Sequence, residues 1–244
     1  MHPDQISRTP NRVRTVVLAS LVCVIGSLVP AEAEELVYEI FSNGESIGTS
    51  TITAKAANQA TREAVQVTAT TTLRKKAFFV TTYSLDSKEW SVFDDAGLQS
   101  YRSRTRENGH DFEMIAVRAG GFATVELSTR TGVEVWRFGV DDFDLTSVEE
   151  SGVRLDRMDV PKIFRVLDLD RLEIVTRTLV WVRNETLLIG DEAVGCRVID
   201  ASGGPSRSRR WVAEDGDATL IQEFGSDEIG PFSVVLKSPW ETGR

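Results

Sequence analysis

The feature that most constrains the fold is an alternation of apolar and polar side chains with a period of two, broken by turn signals every 8–12 residues or so. Asn43-Gly44 separates the apolar runs 36–41 and 47–54. An Asn-Gly pair between two such runs is the strongest short signal for a hairpin. Asn108-Gly109 and Thr131-Gly132 repeat the arrangement. The pattern predicts an all-β fold, a curved antiparallel sheet that forms an open or incomplete barrel.

The predicted strands are rich in β-branched or alternating residues and are bounded by Gly, Asn or Asp. They are 36–41, 47–54, 65–73, 78–85, 88–93, 98–106, 112–117, 122–127, 133–138, 172–182, 186–189, 195–201, 208–213, 218–224 and 232–237. Together they predict a single β domain over residues 34–244.

The alternation is missing from residues 141–171. Pro161 suits the first turn of a short helix, which would place Ile163, Phe164 and Leu167 on one face. One interpretation of the segment is a crossover packed on the sheet, and the other is a lid, a strap or a partner-binding element. The predicted fold therefore includes one irregular or short-helical crossover.

The first 33 residues carry a targeting signal. Three arginines precede an uncharged apolar run of 14 residues, 16–29, and Ala31-Glu32-Ala33 follows. That order predicts a signal peptide, residues 1–33, cleaved after Ala33. The run is shorter than the roughly 20 residues that span a bilayer. We therefore predict no transmembrane segment in the mature chain and a periplasmic or secreted location.

The charge of the mature chain excludes one class of partner. The sequence has 28 basic and 37 acidic residues, and the predicted signal peptide takes away three and two of them, which leaves 25 and 35 and a net charge of −10. Such a surface repels phosphate backbones, so a nucleic-acid partner is not expected.

Candidates for catalytic and metal chemistry are few. The mature chain contains one histidine, His110, and one cysteine, Cys196. One histidine excludes sites that need two, and neither a cofactor nor a metal site is predicted. His110 follows an Asn-Gly turn, so we expect it to be exposed. Cys196 lies in a strand-like run, so we expect a buried thiol, and no catalytic residue is assigned.

Acidic residues in the irregular segment have two interpretations, hydrolase carboxylates or solvated loop charge. They are Asp141, Asp142, Glu149, Glu150, Asp168 and Asp170. A further acidic stretch, Asp215-Gly216-Asp217, has the residue types that tight turns need. The same order of Trp, acidic turn and apolar strand occurs near residue 94. The repetition predicts a hairpin tip at 215–217 rather than a carboxylate site.

Aromatic side chains are spread over the predicted strands. In a curved sheet they either fill the core or line a cavity for an apolar ligand. Trp181 and Trp211 are the predicted cavity-lining residues, and Phe164 and Leu167 are predicted to cover part of the opening. These four are the candidate ligand-binding residues.

The order of the motifs resembles uncharacterised exported bacterial β-rich proteins. The resemblance runs from Leu36 to Lys237 and rests on short motifs. They are Tyr38-Glu39-Ile40, Asn43-Gly44-Glu45, Ile47-Gly48-Thr49, Glu89-Trp90 with its turn to Leu98, and the Trp211 to Leu220 hairpin. In shape these proteins are similar to periplasmic lipoprotein carriers, whose curved sheet half-encloses acyl chains. The resemblance implies an open barrel and no catalytic residue.

Two functional hypotheses follow from the sequence. In the first, the chain is a non-enzymatic exported envelope protein that binds a lipid-like or apolar small molecule, or an envelope protein partner, in its curved sheet. In the second, it is a secreted hydrolase that uses loop carboxylates. Carboxylates gathered in one cleft would favour the hydrolase, and an apolar cavity without convergent polar groups would favour the binding protein.

Overall fold

Fifteen β-strands form one sheet in this computed structural model. The residues that it describes are 34–57, 64–77, 80–204, 206–214, 219–227 and 230–238. The predicted signal peptide, 1–33, and the predicted turn 215–217 lie outside them. No helix among the described residues has the length and apolar character needed to cross a membrane.

The strands and one short 3₁₀ turn follow each other along the chain. They are β1 Glu34–Ser42, β2 Glu45–Ala56, β3 Val65–Ala77, β4 Val80–Asp94, β5 Gly97–Glu107, β6 His110–Ala119, β7 Phe122–Thr129, β8 Gly132–Gly139, β9 Leu145–Thr146, the 3₁₀ turn Glu150–Gly152, β10 Lys162–Asp168, β11 Glu173–Ile189, β12 Glu192–Ser202, β13 Arg207–Ala213, β14 Leu220–Asp227 and β15 Gly230–Ser238.

The spatial order places the first and last strands, β1 and β15, at the centre of the sheet. The order is β8-β7-β6-β5-β4-β3-β2-β1-β15-β14-β13-β12-β11-β10-β9. All neighbours are antiparallel except β9 and β10, which are parallel. The two end strands, β8 and β9, do not pair with each other, so the sheet does not close into a hydrogen-bonded barrel. The predicted open, curved antiparallel sheet is confirmed.

The Asn-Gly turns explain why two of the hairpins form, β1–β2 and β5–β6. Asn43 and Gly44 have φ of 53° and 80°, and Asn108 and Gly109 have φ of 48° and 81°. Two successive residues with positive φ match the right-handed twist of the flanking strands. Asn and Gly are the residues that adopt this backbone at least cost.

Three predicted boundaries differ from the structure. Residues 80–85 of the predicted run 78–85 and the run 88–93 belong to one strand, β4. Residues 173–182 and the run 186–189 likewise belong to β11, because the ladder continues through the polar residues between them. The helix predicted to begin at Pro161 is wrong, since Lys162–Asp168 is the strand β10. Pairing with β11 satisfies the backbone groups of β10 and outweighs a weak helical pattern.

The first part of the irregular segment 141–171 packs inside the curved sheet. Phe143, Val148 and Leu155 are buried in the main apolar core. The short strand β9 lies against β5, three strands away from the sheet end at β8. Side-chain packing of this segment therefore fills the space that the missing β8–β9 pairing leaves.

Candidate functional site

The irregular segment is held against β5 by one glutamate. Glu149 Oε1 accepts a hydrogen bond from the Leu98 amide at 2.9 Å, and Oε2 accepts from the Thr146 amide and hydroxyl at 2.7 and 2.8 Å. Gly97 has a φ of +99°, and a Cβ there would lie 2.3 Å from Glu149 Oε1. Glycine at position 97 therefore permits both the turn and the approach of Glu149.

The next residue ties the same segment to the other half of the sheet. Glu150 is 2 % exposed, and its oxygens lie 3.2 Å from Arg210 Nη2 and 3.3 Å from Arg177 Nε. Arg210 Nε also donates to Glu223 Oε1 at 2.9 Å. Burial lowers the pKa of Arg210, but the Glu223 and Glu150 carboxylates raise it more. Glu150 is thus part of a buried ion-pair network, and the interpretation as solvated loop charge is wrong for this residue.

A small void lies where the irregular segment meets β5 to β7. We call this contact the seam, and the void, of about 20 Å³, the seam void. A volume of that size accommodates roughly one water molecule. Most of its lining is apolar, and the residues are Leu98, Gln99, Ala116, Val117, Arg118, Ala123, Phe143, Thr146, Glu149, Leu167 and Leu169.

Beside the seam void lies a group that we call the acid cluster, Glu89, Tyr101, Asp168 and Asp170. Glu89 Oε2 accepts from the Tyr101 hydroxyl at 3.1 Å. Asp168 Oδ1 accepts from the Asp170 and Arg171 amides at 3.1 Å each. Tyr101 pairs across the ladder with Ala116, and Asp168 lies between Leu167 and Leu169 in the sequence. Cluster residues are thus next to residues that line the seam void, but none of the four lines it.

Burial raises the pKa of every carboxyl in the acid cluster. It raises that of Glu89 to about 7, although hydrogen bonds from Tyr101 and Ser87 act in the opposite direction. Burial also raises the pKa of Asp168. The pKa of Asp170 is raised well above its usual value, first by burial and then by the nearby Asp168 and Glu89 carboxylates. Carboxyls in this environment retain protons at pH values where exposed ones are ionised.

The acid cluster faces inward because of strand alternation. On β5, Tyr101, Ser103 and Thr105 are buried, while the arginines between them are exposed. On β4 the buried polar positions are Ser87, Glu89 and Ser91, and they alternate in line with the buried Leu85 and Phe93. Hydroxyls on this face pair across strands, Ser50 with Thr71 and Ser87 with Thr105, both at 2.9 Å. Hydrogen bonding of this kind offsets the cost of burying polar groups.

Leu167 and Phe164, two of the predicted ligand-binding residues, lie on β10. Leu167 is fully buried and lines the seam void. Phe164 is half-buried, and Lys162 Nζ lies 5.4 Å from the centre of its ring. Of the four predicted ligand-binding residues, Leu167 is thus the one that lines the seam void.

The two predicted tryptophans lie on opposite faces of the sheet. Trp181 pairs with Ile199 and Trp211 with Val198, and consecutive residues of a strand point to opposite faces. The Arg197 guanidinium carbon lies 4.6 Å from the centre of the Trp181 ring. The ring centres of Trp211 and Phe224 are 5.5 Å apart, and the two rings meet edge-on. The structure therefore does not bring Trp181 and Trp211 together in one cavity.

The remaining sequence candidates are separate from the seam. His110 is exposed at the start of β6, as predicted. Cys196 is a buried thiol, also as predicted. Among the residues described, no group of three or more His, Cys, Asp or Glu side chains is arranged to hold a metal ion. Sequence reasoning missed Glu89 and Tyr101, since a Glu beside a Trp in an alternating run looks like an outward-facing residue.

The fold defines the chain as an incomplete β-barrel with a filled interior. Residues 38–135 match a family model described as "Domain of unknown function (DUF6134)". The match begins within β1 and ends within β8, so it includes Glu89 and Tyr101. No curated protein matches the sequence. The predicted resemblance to an uncharacterised β-rich family is confirmed.

Solved structures give a likeness in fold. A β-barrel-like protein of the domain of unknown function DUF1849 from Brucella abortus is similar with a TM-score of 0.58 and 11% identity, over 85% of this chain and 97% of that chain. A protein with a YmcC-like fold from Bacteroides fragilis matches with a TM-score of 0.26 and 8% identity, over 84% and 93% of the two chains. Only the first likeness is close enough to describe the fold.

Proposed function

We propose that this protein is an exported, non-enzymatic binding protein that holds an apolar or amphipathic ligand at the seam. The carrying observation is the seam void, which is lined by apolar and small side chains such as Ala116, Ala123 and Leu167. An alkyl chain that replaced the apolar side chains of the irregular segment would keep apolar surface out of water. Burial of such surface is favourable by about 25 cal/mol per Å².

Ligand entry on this proposal requires the irregular segment to move. The seam void holds roughly one water, so a chain of several carbons enters only when Phe143 and its neighbours leave the inner face of β6 and β7. Backbone hydrogen bonds do not join the sheet ends β8 and β9. Movement of the segment therefore breaks side-chain contacts and the Glu149–Leu98 hydrogen bond rather than a strand ladder.

Export is part of the proposal. Every described strand lies within residues 34–238, so cleavage after Ala33 would leave all of them intact. An envelope location would supply lipid-like ligands or an envelope protein partner for the seam. The intact mass of the exported protein measures the cleavage site directly.

The test is to fill the seam void. Ala116→Leu adds three carbons to a lining position, and we expect affinity for dodecanol, measured by calorimetry below its solubility limit, to fall at least tenfold. Ala119→Leu on the same strand is the matched control, because Ala119 is exposed. Circular dichroism reports whether each variant folds. Unchanged dodecanol affinity in folded Ala116→Leu, or no binding by the unchanged chain, would contradict the proposal.

One observation favours the second candidate, a hydrolase. Asp168 and Asp170, two of the loop carboxylates, meet Glu89 in the acid cluster. Against this, Glu89 and Asp168 are buried, and none of the three carboxylates lines the seam void. A panel of chromogenic esters and glycosides tests the candidate, with hydrolysis that Glu89→Gln abolishes as the supporting result.

A further inference from the structure

The strand β8 ends the sheet, and one of its two edges has no neighbour among the described strands. On the other edge all eight of its residues pair with β7, from Gly132 to Gly139, without a register shift. An antiparallel strand directs alternate pairs of backbone N–H and C=O groups to its two sides. β8 therefore presents a regular row of backbone donors and acceptors to which a further strand can pair.

The side chains of β8 leave this edge apolar and uncovered. Val133 and Val135 are 59% and 58% exposed. Val135 lies opposite Glu126 of β7, which lies opposite the exposed Ile115 of β6, so Val135 and Ile115 belong to one row on the outer face. A long, regular strand edge with exposed apolar side chains is typical of a site where two sheets associate.

The other unpaired strand edges of the described sheet are less suited to association. β9, at the opposite end, has two residues. Residues 183–189 of β11 pair with β12 but lie beyond the end of the β10 ladder, so one side of them is also open. That stretch begins at a register irregularity and includes the exposed ion pair of Arg183 with Glu185 at 2.8 Å. Short length, bulges and charges prevent edge-to-edge pairing.

We propose that β8 pairs antiparallel with β8 of a second copy of this chain, so that two sheets form one across a twofold axis. The whole chain has a net charge of −9, but β8 contains one acid, Glu134, and one base, Arg137. Two acidic molecules can therefore meet at this neutral edge with little repulsion. A twofold contact uses the same surface on both copies, and a second copy supplies the same unpaired edge. The inference is independent of ligand binding at the seam.

Charge selects the register of this pairing. Residues directly opposite each other share a face of the sheet, and like charges opposite each other are destabilising. A pair centred on Glu134 or on Arg137 would place two like charges together. A pair centred on Val135 places Val135 against Val135 of the second copy, Val133 against Arg137, and Glu134 against Trp136. This register avoids both like-charge contacts and covers the exposed Val135 side chain.

Sedimentation velocity of the full chain over a wide range of protein concentration tests the inference. We expect a monomer–dimer equilibrium. Val135→Asp places two carboxylates opposite each other and should raise the dissociation constant of the dimer at least tenfold. Leu188→Asp is the matched control, because Leu188 is 76% exposed and lies on the open stretch of β11. This control should dimerise like the unchanged chain, and circular dichroism reports whether each variant folds.

Cross-linking tests the register and does not depend on the folding of Val135→Asp. Directly opposite Cβ atoms are about 5 Å apart, so Val135→Cys should form a covalent dimer with a short bismaleimide. The unchanged chain, whose Cys196 is buried, and Leu188→Cys should not. A monomeric unchanged chain would leave the edge to a strand of another protein and overturn the inference. So would unchanged dimerisation of folded Val135→Asp, or failure of Val135→Cys to cross-link.

Discussion

At the residue scale, two adjacent glutamates join the two halves of the sheet. Glu149 bonds to the Leu98 amide of β5, and Glu150 pairs with Arg210 and Arg177 on the opposite side. Because Glu149 bonds to β5 and Glu150 to β13, the two residues fix the irregular segment at one point between these strands. The contact replaces the backbone pairing that would close a regular barrel.

Removing the buried carboxylate of this pair should destabilise the fold strongly. Glu150→Ala leaves Arg177 and Arg210 short of a buried counter-charge, and breaking a buried pair in this way costs about 3 kcal/mol or more. Urea denaturation followed by circular dichroism measures the change. Asp111→Ala is the control, because its ion pair with Arg106 is exposed and 3.7 Å long. Equal stability of the two variants would contradict a structural role for Glu150.

Stability should depend on pH through Glu89. Its folded-state pKa is about 7, and the usual value is 4.5. Between these values the unfolded chain is ionised and the folded chain keeps its proton, so stability is greatest below pH 4.5 and falls as pH rises to 7. The slope from one such group is at most about 1.4 kcal/mol per pH unit.

Glu89→Gln should remove the Glu89 part of this slope. The free energy of unfolding, measured by urea denaturation at pH 5, 6, 7 and 8, should fall less steeply in the variant than in the unchanged protein. Asp168 and Asp170 act in the same direction, so part of the slope should remain. An identical pH dependence with and without Glu89 would show that its carboxyl is not buried as described.

At the scale of elements, the irregular segment behaves as part of the core. Val148 and Leu155 are almost fully buried. Further along the segment, Met158, Val160 and Ile163 are at least half exposed. The buried half fills the inner face of the sheet, and the exposed half bridges from Met158 to Trp181 of β11 and continues into the start of β10. Any motion that admits a ligand belongs to the buried half.

Leu155→Ala should loosen that half of the segment. Truncation of a buried leucine costs about 2–5 kcal/mol through lost burial and the cavity left behind. Hydrogen exchange should also speed up at the Ser147 amide, which bonds to the Leu167 carbonyl at 2.9 Å. Val160→Ala, at an exposed position, should change neither quantity by much. Unaltered exchange in Leu155→Ala would separate this residue from the seam.

At the scale of the whole molecule, the first and last strands hold the two halves together. β1 pairs with β15 from Val37 to Ser42, so the first and last described strands meet at the centre of the sheet rather than at its edges. β15 is also paired with β14, and it therefore connects the two halves of the sheet. Contacts of such large sequence separation form late and make folding slow.

Ending the chain after residue 229 should abolish cooperative folding. The truncation removes β15 and so exposes the edges of β1 and β14 that pair with it. It also removes Val234 and Leu236 from the apolar core. A chain that ends after Ser238 keeps every described strand and should unfold in one transition. Thermal denaturation of both chains, monitored in the near and far ultraviolet, distinguishes them. A cooperative transition in the shorter chain would contradict a connecting role for β15.

Local features of the sequence determined the strands and their turns. Asn43-Gly44 and Asn108-Gly109 encode positive φ at consecutive positions, which any surrounding fold would respect. Alternation and β-branched residues then predicted nearly all of the strands, because pleat geometry acts over neighbouring residues. The burial of Cys196 and the exposure of His110 followed from the same local reasoning.

Tertiary structure alone decided the pairing of β1 with β15 and the face that each residue presents. On β4 the alternation is ambiguous, since Trp90 and Val92 compete with Ser91 and Phe93 for the interior. The structure turns Glu89 inward because Tyr101 and Ser87 hydrogen-bond to it from the neighbouring strand and its own strand. Those partners come together only once the sheet is assembled, so neither the acid cluster nor the burial of Glu150 is visible in a local pattern. The burial of a side chain and the identity of its hydrogen-bond partners depend on residues distant in sequence. The acid cluster could therefore be found only in the folded structure.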